Sequence, residues 1–280
     1  MRIVLAILAV PSLLLSIGCT GTPPRTGSDS PLVRTISIDF GNVHLVSGDF
    51  GAFLVDAGTE RGAPKLAERI RALGTDPATL RAVILTHGHA DHAGGAHYFR
   101  NRFGVPVVVG AADVPMLAEG RNDRLCPTGF MARRLRASAQ SATYPPTVAD
   151  HAIGARTPLS SLPGLEGLDG LIVPVGTHTP GSIAIILGDK AFVGDLFRGR
   201  IMGSGATRHF FMCDPAANER AVATLVADEA RAVRIFFTGH FGPAGRKAVE
   251  SMLETSARAE RVDGPGRGGS PDLMKVTTPR

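Results

Sequence analysis

Three histidines and an aspartate fall within a single short segment, residues 86–92 (THGHADH). It directly follows an apolar run that is typical of a buried strand. Holding several imidazoles close together is energetically unfavourable unless a metal cation coordinates them. In extended backbone, residues two apart point the same way, so His87 and His89 can hold one metal ion, while Asp91 and His92 can hold a second. A helix would place residues two apart about 200° from each other, so the pattern predicts a loop.

Further candidate ligands follow apolar runs elsewhere in the chain. His178 follows the run 171–175, Asp195 follows 191–193 and His240 follows 235–237. Because α/β sheets place ligand sites just beyond the carboxyl ends of strands, these side chains are expected to meet the histidine-rich segment. The pattern predicts two metal sites bridged by Asp195, with His87, His89 and His178 in one and Asp91, His92 and His240 in the other. Three protein ligands per ion leave a position for water, as in catalytic sites.

The set of motifs resembles the metallo-β-lactamase superfamily. The matching segments are THxHxDH at 86–92, HTPGS at 178–182, GD at 194–195, GH at 239–240 and the upstream FLVDAG at 53–58. The resemblance covers roughly residues 35–258 and implies an α/β fold, the four-layer αββα sandwich of two mixed sheets flanked by helices. It also implies two Zn²⁺ ions per chain, with Mn or Fe as alternatives. In that family the residue equivalent to Asp56 usually orients the metal-binding loop.

The resemblance implies a metallo-hydrolase in which a metal-bound hydroxide attacks an ester, lactone, thioester, amide or phosphoester bond. Asp91 is the candidate catalytic residue, because it could hold the water or pass a proton to the leaving group. Arg198 and His209 are candidate substrate contacts or neighbours of the metal ligands. Asp195 favours glyoxalase-II-like, lactonase-like or phosphodiesterase-like hydrolases, since dizinc β-lactamases usually carry Cys or Ser there. Three alternatives stay open: a mononuclear iron enzyme like the persulfide dioxygenases, a β-lactamase, and a non-enzymatic metal-binding module.

The composition of the chain limits the classes of molecule that the protein is expected to bind. The chain has 280 residues, is 44% hydrophobic and carries a net charge of +5. This apolar fraction excludes a disordered chain, and the charge is too small for a nucleic-acid-binding protein. We therefore expect a small-molecule substrate and do not expect a nucleic-acid partner. The arginines at 121, 124, 133, 134 and 136 are interpreted as a solvated surface. The sequence does not indicate an oligomeric state.

The first residues are typical of an export signal. A basic start is followed by a mostly apolar stretch, residues 3–17, that ends in small residues before Cys19. The segment 1–18 resembles a bacterial lipoprotein signal peptide, which implies export to the cell envelope and a lipid on Cys19 that holds the protein on the periplasmic side of a membrane. Residues 19–32 have the composition of a flexible linker. The hydrolase domain is assigned to residues 33–262, and 263–280 to a disordered tail.

Short apolar runs alternate with helical patterns through the domain. Strands are predicted at 43–46, 52–55, 82–85, 105–109, 171–175, 183–187, 191–193 and 235–237, and helices at 64–73, 214–231 and 246–258. Residues 121–165 show no clear period and are interpreted as an insertion or lid. The remaining cysteines, Cys126 and Cys213, are compatible with a disulfide or with two free thiols, and the free thiols are favoured.

Overall fold

The computed structural model of the protein describes residues 30–262, with side chains of the last helix described as far as residue 258. The predicted signal peptide, most of the predicted linker and the predicted tail lie outside the described residues. None of the described helices is long and apolar enough to cross a membrane.

Two six-stranded mixed sheets form the centre of the fold. The first has the order β1-β2-β3-β4-β5-β6, in which β3 to β6 are parallel. Its strands are β1 (Leu32–Ile38), β2 (Gly41–Gly48), β3 (Gly51–Val55), β4 (Leu80–Ile84), β5 (Val107–Gly110) and β6 (His151–Ile153). The second has the order β14-β13-β10-β9-β8-β7, with β10 and β13 parallel. Its strands are β7 (Thr157–Pro158), β8 (Leu171–Pro174), β9 (Ile183–Leu187), β10 (Lys190–Gly194), β13 (Ile235–Thr238) and β14 (Ala244–Gly245).

Seven α-helices and a small ribbon complete the described fold. The helices are α1 (Ala63–Ala72), α2 (Ala90–Ala93), α3 (Ala96–Phe103), α4 (Val114–Glu119), α5 (Phe130–Gln140), α6 (Pro215–Ala227) and α7 (Arg246–Val262). The ribbon pairs β11 (Arg198–Gly199) with β12 (Ala206–Thr207). As the sequence predicts, Asp214 caps α6 by accepting a hydrogen bond from the Ala217 amide (2.9 Å), and Gly74 follows α1 with positive φ.

Three apolar cores show that the layers are stacked as helix, sheet, sheet, helix. One core packs the first sheet against α1 and α3, the second lies between the sheets, and the third packs the second sheet against α6 and α7. Neighbouring strand residues point into different cores: Leu54 faces the helices, whereas Phe53 and Val55 face the other sheet. Burial on both faces explains why these strands are continuous apolar runs. The predicted αββα sandwich is confirmed.

The structure differs from the sequence-based prediction in the segment 121–165. This segment is not an irregular insertion, because it contains helix α5 and the strands β6 and β7, one at an edge of each sheet. Helix α5 buries only Ala132, so it adds little to the three apolar cores. The two strands have three and two residues, which is too short for periodicity to show.

The preference for free thiols is wrong, because Cys126 and Cys213 form a disulfide. Two loops bring them together. Met212 donates its amide to the Cys126 carbonyl (2.8 Å), and the Thr128 amide donates to the Phe210 carbonyl (2.8 Å). The disulfide therefore fastens the loop that follows β12 to the loop that precedes α5. Sequence alone gives no sign of it, since the two cysteines are 87 residues apart.

Removing this disulfide should destabilise the protein. In a double Cys126→Ser, Cys213→Ser variant the unfolded chain regains the conformational entropy that the cross-link removes. Disulfides of this kind contribute about 2–4 kcal/mol to the free energy of unfolding. Urea unfolding followed by circular dichroism measures the change. Reducing agent should shift the wild-type midpoint towards that of the variant and leave the variant unchanged. Equal midpoints for the oxidised wild type and the variant would contradict the prediction.

Candidate metal centre

The predicted ligands lie just beyond strand ends, at a common edge of the two sheets. His87 and His89 follow β4 and lead into α2, whose second and third residues are Asp91 and His92. Asp195 and His240 follow β10 and β13, which are parallel neighbours, and His178 lies in the turn between β8 and β9. All seven side chains meet at this edge. Strands buried on both faces fix their ends rigidly, which is what a precise ligand geometry requires.

The first predicted group comes together as expected. His87, His89 and His178 can each point one ring nitrogen into a common volume, with all three atoms within 4.8 Å of one another. Nδ1 of His89 lies 3.1 Å from Nε2 of His178. All three residues are buried.

The second predicted group is also assembled. Asp91, His92 and His240 can place their ligand atoms within 4.8 Å of one another. The Asp91 carboxylate lies 3.3 Å from Nε2 of His240 and 3.7 Å from Nε2 of His92. The side chains of His92 and His240 are buried, whereas that of Asp91 is 36% exposed. Asp91 is thus the ligand candidate of this group that water reaches most easily.

Asp195 lies between the two groups. Its Oδ2 atom is 3.4 Å from Nε2 of His92, 3.3 Å from that of His240, 3.7 Å from that of His178 and 3.8 Å from that of His87. One carboxylate oxygen facing imidazoles of both groups has the position of a bridging ligand. The side chain is only 2% exposed.

Hydrogen bonds behind the rings orient two of the histidines. Nδ1 of His92 lies 2.9 Å from the Asp56 carboxylate, and Nδ1 of His240 lies 2.7 Å from the Phe40 carbonyl. Engaging Nδ1 leaves Nε2 facing the centre, and histidines that bind metals usually donate their other ring N–H to a carboxylate or a backbone carbonyl in this way. Asp56 also accepts from the amide of Thr86, at 2.7 Å. It therefore joins both ends of the histidine-rich loop, as the resemblance implied.

Burial and neighbouring charges divide the histidines by pKa. Burial, together with the adjacent imidazoles, holds the pKa of His87 and His178 well below the ordinary value. Burial also lowers the pKa of His92 and His240, but the nearby carboxylates outweigh it, and the pKa of His240 is raised to about 10. Burial by itself raises the pKa of Asp195. The surrounding imidazoles have a larger effect in the opposite direction, so the pKa lies well below its ordinary value. His87 and His178 are therefore neutral and Asp195 is ionised, which are the protonation states that metal binding requires, whereas His92 and His240 would each have to release a proton to bind a metal ion.

The residues fit divalent metal ions. Three buried atoms that face the centre, Nε2 of His87, Nε2 of His209 and Oδ1 of Asp195, have no hydrogen-bond partner among the described residues. Buried polar atoms without partners are costly, and a cation held by His87 and Asp195 would satisfy theirs. Gly239 adds to this close packing, because a Cβ atom there would collide with Asp195 Oδ1 and lie 2.5 Å from Cε1 of His92. Nitrogen and carboxylate donors together suit Zn²⁺, Mn²⁺ or Fe²⁺.

His209 joins the centre, but Arg198 does not. Nε2 of His209 lies 3.1 Å from Oδ2 of Asp195, and its ligand atom groups with those of His178 and Asp195. The Arg198 guanidinium lies over the ring of Phe210, 4.0 Å from its centroid, and its N–H donates to the Gly199 carbonyl (3.0 Å). Burial lowers the pKa of Arg198. This arginine supports an aromatic side chain beside the site and does not contact the ligands.

Asp113 is an important residue that sequence reasoning missed. Its carboxylate is fully buried and accepts hydrogen bonds from the Gly88 amide (2.8 Å), the Thr179 hydroxyl (2.7 Å) and the Gly181 amide (2.7 Å). Asp113 thereby connects the loop of His87 and His89 to the turn of His178. It lies three residues beyond the end of β5, a parallel strand, and this position past a strand end was the signal that could have revealed it.

Tyr144 holds the same loop from another side. Its hydroxyl donates to the Gly88 carbonyl at 2.6 Å, and burial raises the pKa of this hydroxyl. Asn122 also contributes, because its side-chain carbonyl accepts from the Ala90 amide at 2.7 Å. Both residues come from the segment 121–165, which therefore supports the centre directly.

A four-layer sandwich with histidines and aspartates gathered at its strand ends is the structure of a divalent-metal protein. The chain belongs to the metallo-beta-lactamase superfamily, whose family model matches residues 37–240. The fold agrees with solved members. It superposes with a TM-score of 0.58 and 19% identity on a family protein from Thermus thermophilus, covering 83% of this chain and 80% of that one. A subclass B3 metallo-beta-lactamase of Bradyrhizobium japonicum gives a TM-score of 0.55 at 16% identity, covering 83% and 92%.

Two curated relatives match more than half of the chain. A protein of Bacillus subtilis named as a probable metallo-hydrolase (YflN) is 27% identical over 164 residues, 56% of this chain and 60% of that protein. A hydroxyacylglutathione hydrolase (GloC) of Haemophilus influenzae is 31% identical over 153 residues, 54% of this chain and 63% of that protein. The chain thus spans less than two thirds of the length of each relative.

Proposed function

We propose that the protein is a dinuclear zinc hydrolase acting on an ester, lactone or thioester bond. The observation that carries the proposal is the geometry of Asp195, one buried carboxylate oxygen facing four histidines of two separate ligand groups. The hydrolase names of the curated relatives point the same way. His87, His89 and His178 would hold one ion, and Asp91, His92 and His240 the other. When bound, such a pair lowers the pKa of a water molecule and polarises the bond under attack.

The chain's own residues would orient the reaction. Asp91 is partly exposed and faces the cavity beside the centre, so its carboxylate can take a proton from the attacking water and later deliver that proton to the leaving group. His209 lies on the same cavity, and its Nε2 has no hydrogen-bond partner among the described residues. When that nitrogen carries the proton, it can donate to an oxygen of the substrate.

Metal analysis of the purified protein tests the proposal. We expect about two zinc or manganese ions per chain by elemental analysis after anaerobic handling, together with hydrolysis of at least one ester, lactone or thioester. A single iron per chain, with oxygen consumed in the presence of persulfides, would replace the proposal by the oxidoreductase alternative. Hydrolysis confined to β-lactams would replace it by the lactamase alternative.

Exchanging Asp91 for asparagine should separate its two roles. The amide keeps one oxygen for the metal but cannot shuttle a proton, so Asp91→Asn should lower kcat about a hundredfold or more while keeping most of the metal. Steady-state kinetics and elemental analysis on the same sample check this. Asp228→Asn, at an exposed position near Arg231, is the control and should match the wild type. Loss of both ions in Asp91→Asn would show that this residue acts only as a metal ligand.

We also propose that the protein is exported and anchored by a lipid on Cys19. The Cys126–Cys213 disulfide supports export, because disulfides persist in oxidising compartments and are rare in the cytosol. Metabolic labelling with a radioactive fatty acid tests the anchor. Label should enter the wild type and be absent from Cys19→Ala, and label in neither protein would refute the anchor.

A further inference from the structure

A cleft of about 710 Å³ opens directly from the metal centre. His89, Asp91, Asp195, His209 and His240 line its inner part, so a molecule in the cleft would reach the reacting groups. Cavities of this size are typical of small-molecule sites. The side chains farther out therefore determine what kind of substrate the centre receives.

Helix α5, the loop before it and the turn after it supply an apolar surface of this cleft, formed by Leu125, Leu135, Ala139 and Ala142. Ala132 is the only residue of α5 that is buried, and Leu135 is 49% exposed. The loop is held close to the metal-binding segment, because Asn122 bonds both to Ala90 and, through its amide, to the Ala139 carbonyl (2.9 Å).

Four phenylalanines supply the other apolar part of the lining: Phe40, Phe210, Phe211 and Phe241. Phe40 is 83% exposed and Phe241 is 39% exposed. Large aromatic side chains left in water beside a reactive centre indicate a ligand that covers them. Two of them are also held in place, since Arg198 lies over Phe210 and the disulfide fastens the loop that carries Phe210 and Phe211. A pre-formed surface binds without first being ordered.

The charges on the cleft argue against an anionic substrate. Of the lysines and arginines in the described part of the chain, only Arg61 lines the cleft, and it is paired with Asp39 at 3.2 Å. Glu60 also lines this outer region. A carboxylate or phosphate on the distal part of the substrate would meet the carboxylates of Asp39 and Glu60 as well as Arg61, whereas an uncharged apolar chain meets aliphatic and aromatic side chains.

We propose that the substrate is a carboxylic ester or lactone whose acyl group is an uncharged aliphatic chain, with its carbonyl at the metal centre and its chain between α5 and the four phenylalanines. This inference rests on the proposed hydrolase function, which it makes more specific. Leu135 and Phe40 are its specificity-determining residues, because they are the most exposed apolar side chains that line the cleft.

A chain-length series on the metal-loaded protein tests the inference. With p-nitrophenyl esters from butyrate to decanoate, kcat/KM should rise about threefold per methylene until the cleft is filled. Leu135→Asn should flatten this rise, whereas the control Leu73→Asn, at the exposed end of α1, should keep the wild-type slope. Hydrolysis that is independent of chain length would overturn the inference and leave the proposed function standing.

A binding measurement separates the two proposals. Decanamide, which is neutral and stable in the assay, should displace the apolar dye N-phenyl-1-naphthylamine from the metal-loaded protein, and Leu135→Asn should weaken decanamide binding about tenfold. No displacement would overturn the inference even if esters are hydrolysed. Displacement without hydrolysis of any ester, lactone or thioester would overturn the proposed function and retain an apolar binding site.

Discussion

Replacing Asp195 by asparagine should leave the protein with one metal ion or none and lower hydrolysis by more than about a hundredfold. The carboxylate faces imidazoles of both ligand groups, so its loss affects both ions. Even residues that only orient a ligand cost 10- to 100-fold in metal affinity when they are replaced, so a shared ligand should cost more. The amide is also neutral, and it removes a negative charge that balances the metal cations.

Elemental analysis and calorimetric zinc titration of Asp195→Asn measure this effect. Asp228→Asn serves again as the control, because it makes the same chemical change on an exposed side chain that is 3.7 Å from Arg231. Melting of both variants without added metal shows whether the fold survives. A variant that keeps two ions with unchanged affinity would refute the bridging role of Asp195.

The second large effect is expected at Asp113, which contacts no metal-ligand atom. Asp113→Ala would leave the Gly88 and Gly181 amides without their buried acceptor, and the Thr179 hydroxyl would keep only Ser182 as a partner. Each such buried donor costs about 1–3 kcal/mol, so the variant should be several kcal/mol less stable than the wild type. Because these donors belong to the loops of His87, His89 and His178, the ion in that group should also be lost first.

Urea unfolding in the presence of a chelator isolates the effect of Asp113 on stability from its effect on metal binding. Asp169→Ala, at an exposed position, is the matched control and should change stability by less than about 0.5 kcal/mol. A variant with wild-type stability that still binds both ions would show that the two loops hold their positions without this carboxylate.

The sequence predicted the parts of the fold in which local pattern and tertiary structure agree. Most residues of strands β4, β10 and β13 are buried, so each strand contains a short apolar run, and a ligand candidate lies within three residues of the end of each strand. The spacing of the histidines within 86–92 then indicated two groups, and the structure assembles both.

The parts that were missed depend on contacts distant in sequence. The disulfide partners are brought together only by the pairing of their loops, and β6 is a strand only because it lies beside β5. Asp113 looks like an ordinary loop residue until the turn of His178 packs against it. The partial exposure of α5 also follows from the cleft beside it, which no local pattern reveals.

The disulfide also changes what a protease could do to this protein. It closes a covalent ring from residue 126 to 213 that contains His178, Asp195 and His209, while the histidine-rich loop and His240 lie outside it. A single backbone cut within that ring, for example at the exposed residues Glu166 and Gly167, would leave both fragments joined through sulfur. A nicked molecule would therefore keep all of its ligand candidates in one covalent unit until a reductant separated them.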